Sequence, residues 1–160
     1  MKKLLDRDIE GIPAAQPRPK AARRGNFIRM YTPDTADLWK SQVAHAFESY
    51  VAQGGENYNV PLTGPLRVDI DFFLPRPANL NRKKDPDGPI WRPAKPDVDN
   101  LVKACLDAIS DVGLWGDDSQ VCSGLSQKFY CARGQNPGAI ITIYQLDQAD
   151  VPVELEGSLL

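Results

Sequence analysis

At 160 residues and 42% hydrophobic content, the chain suits one domain around a single core, with no need of metal or disulfide staples. No apolar run approaches the roughly 20 residues of a membrane span, and Met1-Lys2-Lys3-Leu4-Leu5 runs into Asp6-Arg7-Asp8 instead of a signal core, so a cytoplasmic protein with no membrane partner is expected. Cys105, Cys122 and Cys131 lack CxxC spacing and histidine partners, which excludes a disulfide framework or zinc site and leaves buried free thiols as the expected state.

The net charge of -2 is unevenly spread. Asp147 to Leu160 carries four acids and no base, so residues 1 to 146 hold 19 bases against 17 acids, 21 less those four. The bases cluster at Arg18, Lys20, Arg23, Arg24 and Arg29, and again at Arg76, Arg82, Lys83, Lys84, Arg92 and Lys95. Basic clusters of this kind suit a phosphate backbone, or else are solvated loops.

Residues 1 to 11 mix charges without periodicity and are expected to be a flexible arm. From Ile12 to Arg29, Pro13, Pro17 and Pro19 among basic residues predict a stiff extended stretch, with short strands near Ile12 and at Phe27 to Met30. Thr32-Pro33-Asp34 reads as a helix start, and Trp39, Val43, Ala46 and Tyr50, widened by Leu38, Phe47 and Val51, continue at helical spacing until Gly54-Gly55. His45 lies off that stripe and is expected to be exposed. Leu66, Val68, Ile70, Phe72 and Leu74 alternate with Arg67, Asp69, Asp71 and Phe73, a half-buried strand whose aspartates form its polar face.

Pro75 to Pro96 is rich in proline, asparagine and basic residues and is expected to be a long loop that flanks a ligand and orders on binding, with Trp91 anchoring it. Val121 to Arg133 and Ala139 to Leu146 read as two strands joined by a turn at Gly134 to Gly138, hence a hairpin. Asp147 to Leu160 is expected to be a peripheral acidic tail, leaving 12 to 146 as the folded domain. The fold class is α+β: a small mixed sheet with two packed helices.

The stretch that carries chemistry is Lys95-Pro96-Asp97-Val98-Asp99-Asn100-Leu101-Val102-Lys103, leading through an apolar helix to Trp115-Gly116-Asp117-Asp118-Ser119-Gln120. Pro96 favours extended chain before it, so Asp97 and Asp99 share a side; from Asp99 or Asn100 a helix begins with Val98, Leu101, Val102, Cys105, Ala108 and Ile109 as its stripe. A loop at Gly113 and Gly116 could return Asp117 and Asp118 to the helix start. Clustered carboxylates raise one another's pKa unless a cation lies between them, and hard oxygen ligands suit Mg²⁺ or Mn²⁺. With Lys103 off the buried stripe to meet developing negative charge, metal-assisted phosphodiester hydrolysis is the implied reaction class. In the plainer reading, an aspartate caps the helix for about 1 kcal/mol and Lys103 is its surface partner.

At these positions the sequence resembles the RusA family of Holliday junction resolvases, especially those carried by phages and prophages. The shared elements are the basic-Pro-Asp-x-Asp-Asn-Leu-x-Lys run at 95 to 103, the Asp107-Ala108 pair, and the aromatic residue followed by Asp-Asp-x-Gln-hydrophobic at 115 to 121. The resemblance implies a homodimeric RusA-like fold, a four-way DNA junction as substrate, and Asp97, Asp99, Lys103 and Asp118 as catalytic residues, the three aspartates holding Mg²⁺. Asp117 would support the metal ligands by hydrogen bonding. Arg18, Lys20, Arg23, Arg24, Arg92 and Lys95 are expected to contact DNA. The alternatives are a non-catalytic branched-DNA-binding protein of the same fold, and a Mg²⁺-dependent transferase acting on a diphosphate.

Overall fold

The computed structural model describes residues 1–31, 34–53 and 59–155. In chain order the elements are β1 (Lys2–Glu10), β2 (Lys20–Arg24), β3 (Phe27–Tyr31), α1 (Asp37–Ala52), β4 (Leu66–Leu74), β5 (Ile90–Trp91), α2 (Val98–Asp111), β6 (Val121–Ser123), β7 (Ser126–Tyr130) and β8 (Gly138–Gln145). The fold is α+β with two helices, as the periodicities predict.

The strict alternation in β4 makes it the centre of the molecule. Its five apolar residues are buried while Arg67, Asp69, Asp71 and Phe73 line the opposite face. Both edges are used. β8 runs antiparallel on one side, setting Ile70 opposite Ile141 and Val68 opposite Ile143, and β7 runs parallel on the other. The sheet order is β1-β8-β4-β7-β5, with β6 pairing with the start of β4. Trp39, Val43 and Phe47 of α1 and Leu101, Cys105, Ala108 and Ile109 of α2 complete the core with the inner face of β4.

Several expectations are corrected. Residues 2–10 are not an arm but an edge strand along β8, with Leu5 and Ile9 buried. The period-two signal is masked because Arg7 occupies the inward position between them and the register slips between Lys3 and Leu5. The guanidinium of Arg7 is accommodated by donating to the Ala46 carbonyl, 2.9 Å, and by lying over the Tyr50 ring. β7 and β8 are not a hairpin, since β4 lies between them and buries its alternating face by pairing with both. The strand expected over 121–133 is broken at Gly124 and Leu125, where Leu125 pairs with Ile70 and with the Asp69 carboxylate.

The proposed start and end of α1 at Thr32-Pro33 and Gly54-Gly55 lie outside the described residues; the helix itself begins at Asp37, with Ala36 in the cap position. Leu38 is 75% exposed and does not widen the buried stripe. His45 is exposed beside Glu48, as expected. No strand forms at Ile12, whereas Phe27 to Met30 lies in β3. Cys105 and Cys131 are buried free thiols, with the Cys105 thiol pushed up to about 12 by burial, but Cys122 is exposed. Asp150 of the acidic segment pairs with the amino group of Met1. No helix among the described residues is long and apolar enough to cross a membrane.

Gly124 permits the break between β6 and β7, because a Cβ there would fall 2.1 Å from the Val68 carbonyl oxygen. Gly124→Ala should destabilise the fold by about 1–3 kcal/mol, the usual cost of forcing extra volume against packed backbone. In urea titrations the midpoint should fall with the slope unchanged.

Candidate active site

The amphipathic pattern of α2 dictates what its solvent side carries. Leu101, Ala104, Cys105, Ala108 and Ile109 turn inward, which leaves Asp99, Lys103 and Asp107, spaced four apart, in one column on the other face. The helix begins at Val98, one or two residues before the expected start, and Asp97 occupies the cap position with extended dihedrals. Its carboxylate makes no capping hydrogen bond. The plain capping role therefore does not account for Asp97. Asp97 and Asp99 are exposed at the positive end of the helix dipole, where ionised carboxylates are favoured.

One turn further on, Lys103 Nζ lies 3.1 Å from Asp107 Oδ1. The hydrogen bond and charge of Asp107, with a smaller contribution from the charge of Asp118, raise the Lys103 pKa above its ordinary value. Asp118 stands near the Asp107 end of the column. It borders a cleft of about 290 Å³ that also receives Asp107, Asp111, Asp117 and Lys40. Among the described residues, no three acidic, histidine or cysteine side chains already stand at metal-binding spacing, so the expected convergence of four carboxylates is not formed. Lys103 and its partner Asp107 occupy the intervening turns, and unscreened like charges repel. Carboxylate oxygens are hard donors of the kind a divalent cation takes, and the expected set is divided, with Asp97 and Asp99 at the helix start and Asp118 in the loop.

The loop bearing Asp118 is built by the residues around it. Trp115 is buried, with its indole N–H donating to Ser110 Oγ at 2.7 Å. Hydrogen bonds from the Ser119 hydroxyl and from the Ser119 N–H, the latter 2.7 Å from Asp117 Oδ1, hold the Asp117 carboxyl below the usual range. Asp117 therefore shapes the turn. The Gln120 side chain closes it, accepting from the N–H groups of Gly116 and Asp117 and donating to the carbonyls of Leu62 and Gly64.

Two cations that sequence reasoning did not place here hold the approach to Asp97. Lys128 Nζ on β7 donates to the carbonyls of Ala94 at 2.7 Å and Pro96 at 2.6 Å. Between them the Lys95 carbonyl accepts from Arg92 Nη2 at 2.6 Å and Nε at 3.1 Å. Arg92 also lies over the Tyr130 ring, 4.9 Å from its centroid. Three successive carbonyls before Asp97 are thus held by ammonium and guanidinium groups. The residue spacing of the sequence carried no signal for this, since Lys128 is 32 residues from Pro96.

The same chemistry braces the long loop over 75–96. Arg76 donates to the carbonyls of Leu80, Pro86 and Gly88, and Arg133 to those of Asn81, Arg82 and Asp85 while pairing with Asp87. Trp91 is 64% exposed but stacks on Phe129 at 4.6 Å, which anchors β5 to β7. Of the residues expected to contact DNA, Arg92 is engaged with the backbone and Arg23 donates to the Gly25 carbonyl. Arg18, Lys20, Arg24 and Lys95 are exposed, with no hydrogen bond or ion pair from their side chains among the described residues.

The sequence model of the endodeoxyribonuclease RusA family matches residues 10–144. The chain belongs to this family. It is also 31% identical over 127 residues to YqaN of Bacillus subtilis (strain 168), a protein described as uncharacterized, with 76% of this chain and 84% of that one covered. The RusA-family match spans both α2 and the Asp117-Asp118 loop, as well as β2 and β3.

Lys128→Met tests how far the grip on the 94–96 carbonyls stabilises the fold. The Ala94 and Pro96 carbonyls lose a charged donor, so the midpoint of urea unfolding should fall by the equivalent of about 1–3 kcal/mol with the slope unchanged.

Proposed function

We propose that this RusA-family protein is a Mg²⁺-dependent endonuclease that resolves Holliday junctions by paired nicks. The observation that carries the reading is the uncapped Asp97 beside Asp99 at the start of α2, one turn from a lysine paired with Asp107, which shares a cleft with Asp118. Asp97, Asp99 and Asp118 would hold Mg²⁺, or Mn²⁺ as a substitute. A divalent ion bound there supplies an activated water and polarises the scissile phosphate. The helix N-terminus draws the phosphodiester toward the same end.

Lys103 presents its ammonium to the negative charge that grows on the phosphoryl oxygens in the transition state. Asp107 keeps that ammonium aimed, because the 3.1 Å bond is lost if the lysine swings away. Arg18, Lys20, Arg24 and Lys95 supply phosphate contacts from the surface. Two copies related by a two-fold axis would match the near two-fold symmetry of a four-way junction and cut opposing strands.

With a labelled four-way junction, Mg²⁺ should give symmetric paired nicks that EDTA abolishes. Asp99→Asn should cut no junction while still shifting it in a gel. Lys103→Met should lower the single-turnover rate about 10²–10³-fold, the range for deleting one transition-state charge partner, with Mn²⁺ binding retained. Full cleavage by the Asp99→Asn protein would falsify this assignment. Junction binding by the wild type without nicking in Mg²⁺ would favour the non-catalytic reading.

A further inference from the structure

The ribbon formed by β2 and β3 is a sheet of its own, apart from the main sheet. Its two-residue turn is Gly25-Asn26, with Gly25 at φ +64° and Arg24 paired directly to Phe27. Glycine at the first turn position matches the twist of a tight hairpin. The pairing assigns its faces. Ala22 lies opposite Arg29, and Arg24 opposite Phe27, so Lys20, Arg24, Arg29 and Phe27 share one face. Phe27 is 81% exposed at the tip.

A large exposed aromatic side chain among cations has a cost in water, and it calls for a partner. From Lys20 to Tyr31 the ribbon has four bases, Lys20, Arg23, Arg24 and Arg29, and no acid. A second ribbon packed symmetrically on it would set like charges against one another. Nucleic acid satisfies both features: phosphates neutralise the cations, and any base offers a flat ring to an aromatic side chain. The ribbon is also tethered near the carboxylates. The Gln16 N–H donates to the carbonyl of Asn100 in the first turn of α2, 2.9 Å, and four residues of chain from there to Lys20 reach at most about 14 Å.

We propose that the β2–β3 ribbon reads the branch point, with Lys20, Arg24 and Arg29 on the phosphates and Phe27 stacked on a base left unstacked where the strands exchange. This rests on the reading of the protein as a junction nuclease and extends it to the source of branch selectivity. Duplex DNA keeps its bases stacked and offers Phe27 no ring, whereas a crossover gives up one base at lower cost. Phe27 is accordingly a specificity residue, while the three cations add affinity for either form.

The test uses the full chain with Ca²⁺ in place of Mg²⁺, a four-way junction and a duplex of matched sequence, and 2-aminopurine at the crossover. Phe27→Ala should reduce the junction-over-duplex preference about tenfold, within the range of one base–aromatic stack, with duplex affinity unchanged. It should also abolish the rise in 2-aminopurine fluorescence, and Phe27→Trp should restore both. Arg24→Ala and Arg29→Ala should weaken both substrates and each lower the salt slope by about one. An unchanged preference and fluorescence signal in Phe27→Ala would overturn the proposal, as would conversion of a dimer to a monomer by that substitution in sedimentation, which would make the ribbon a contact between copies. If the wild type fails to nick in Mg²⁺ yet Phe27→Ala still shifts the preference, the nuclease reading fails and the ribbon's role stands. If the wild type nicks and Phe27→Ala changes nothing, the ribbon's role fails alone.

Discussion

Burial of the α2 stripe against β4 is the constraint from which the site follows. With Leu101, Cys105 and Ala108 committed to the core, the rotation of the helix about its axis is set. Asp99, Lys103 and Asp107 must then emerge together on the opposite side, each one turn from the next. The core supplies more than stability here, because a helix free to roll would lose the relation between its carboxylates and the loop bearing Asp118. Trp115 and Gln120 secure that loop to the same body by burial and by hydrogen bonds to residues 62 and 64.

Positive charge is divided between two uses. Arg76, Arg92, Arg133 and Lys128 turn inward onto backbone carbonyls and give shape to a loop with little regular structure of its own. A guanidinium has five donors in a fixed plane and can gather several carbonyls at once, which suits it to bracing irregular chain. Arg18, Lys20, Arg24, Arg29 and Lys95 lie at the surface, where their charge is available to an anion. Counting bases along the chain cannot separate these groups.

The electrostatics of the site are arranged in alternation. Two carboxylates sit at the positive end of α2, a lysine follows, then the acid that holds it, with Asp118 bordering the same cleft as that acid. Lys103 is bound to Asp107, which leaves Asp97 and Asp99 without an ion pair among the described residues; the positive end of the helix dipole and the Lys103 charge one turn away are what face them.

Much of this was legible in the residues themselves. Alternation in 66–74, helical spacing in 98–109 and the aspartate-lysine motif are local patterns, set by side-chain periodicity within one element, and they carry the fold class, the family and the candidate site residues. Strand partners were not legible: β7 pairs with β4 and not with β8, and β1 joins the sheet although Arg7 interrupts its pattern. Nor could spacing show that Lys128 grips the chain before Asp97. Local periodicity determines which face of an element is buried, but which elements meet depends on burying all those faces at once, and only the tertiary structure decides that.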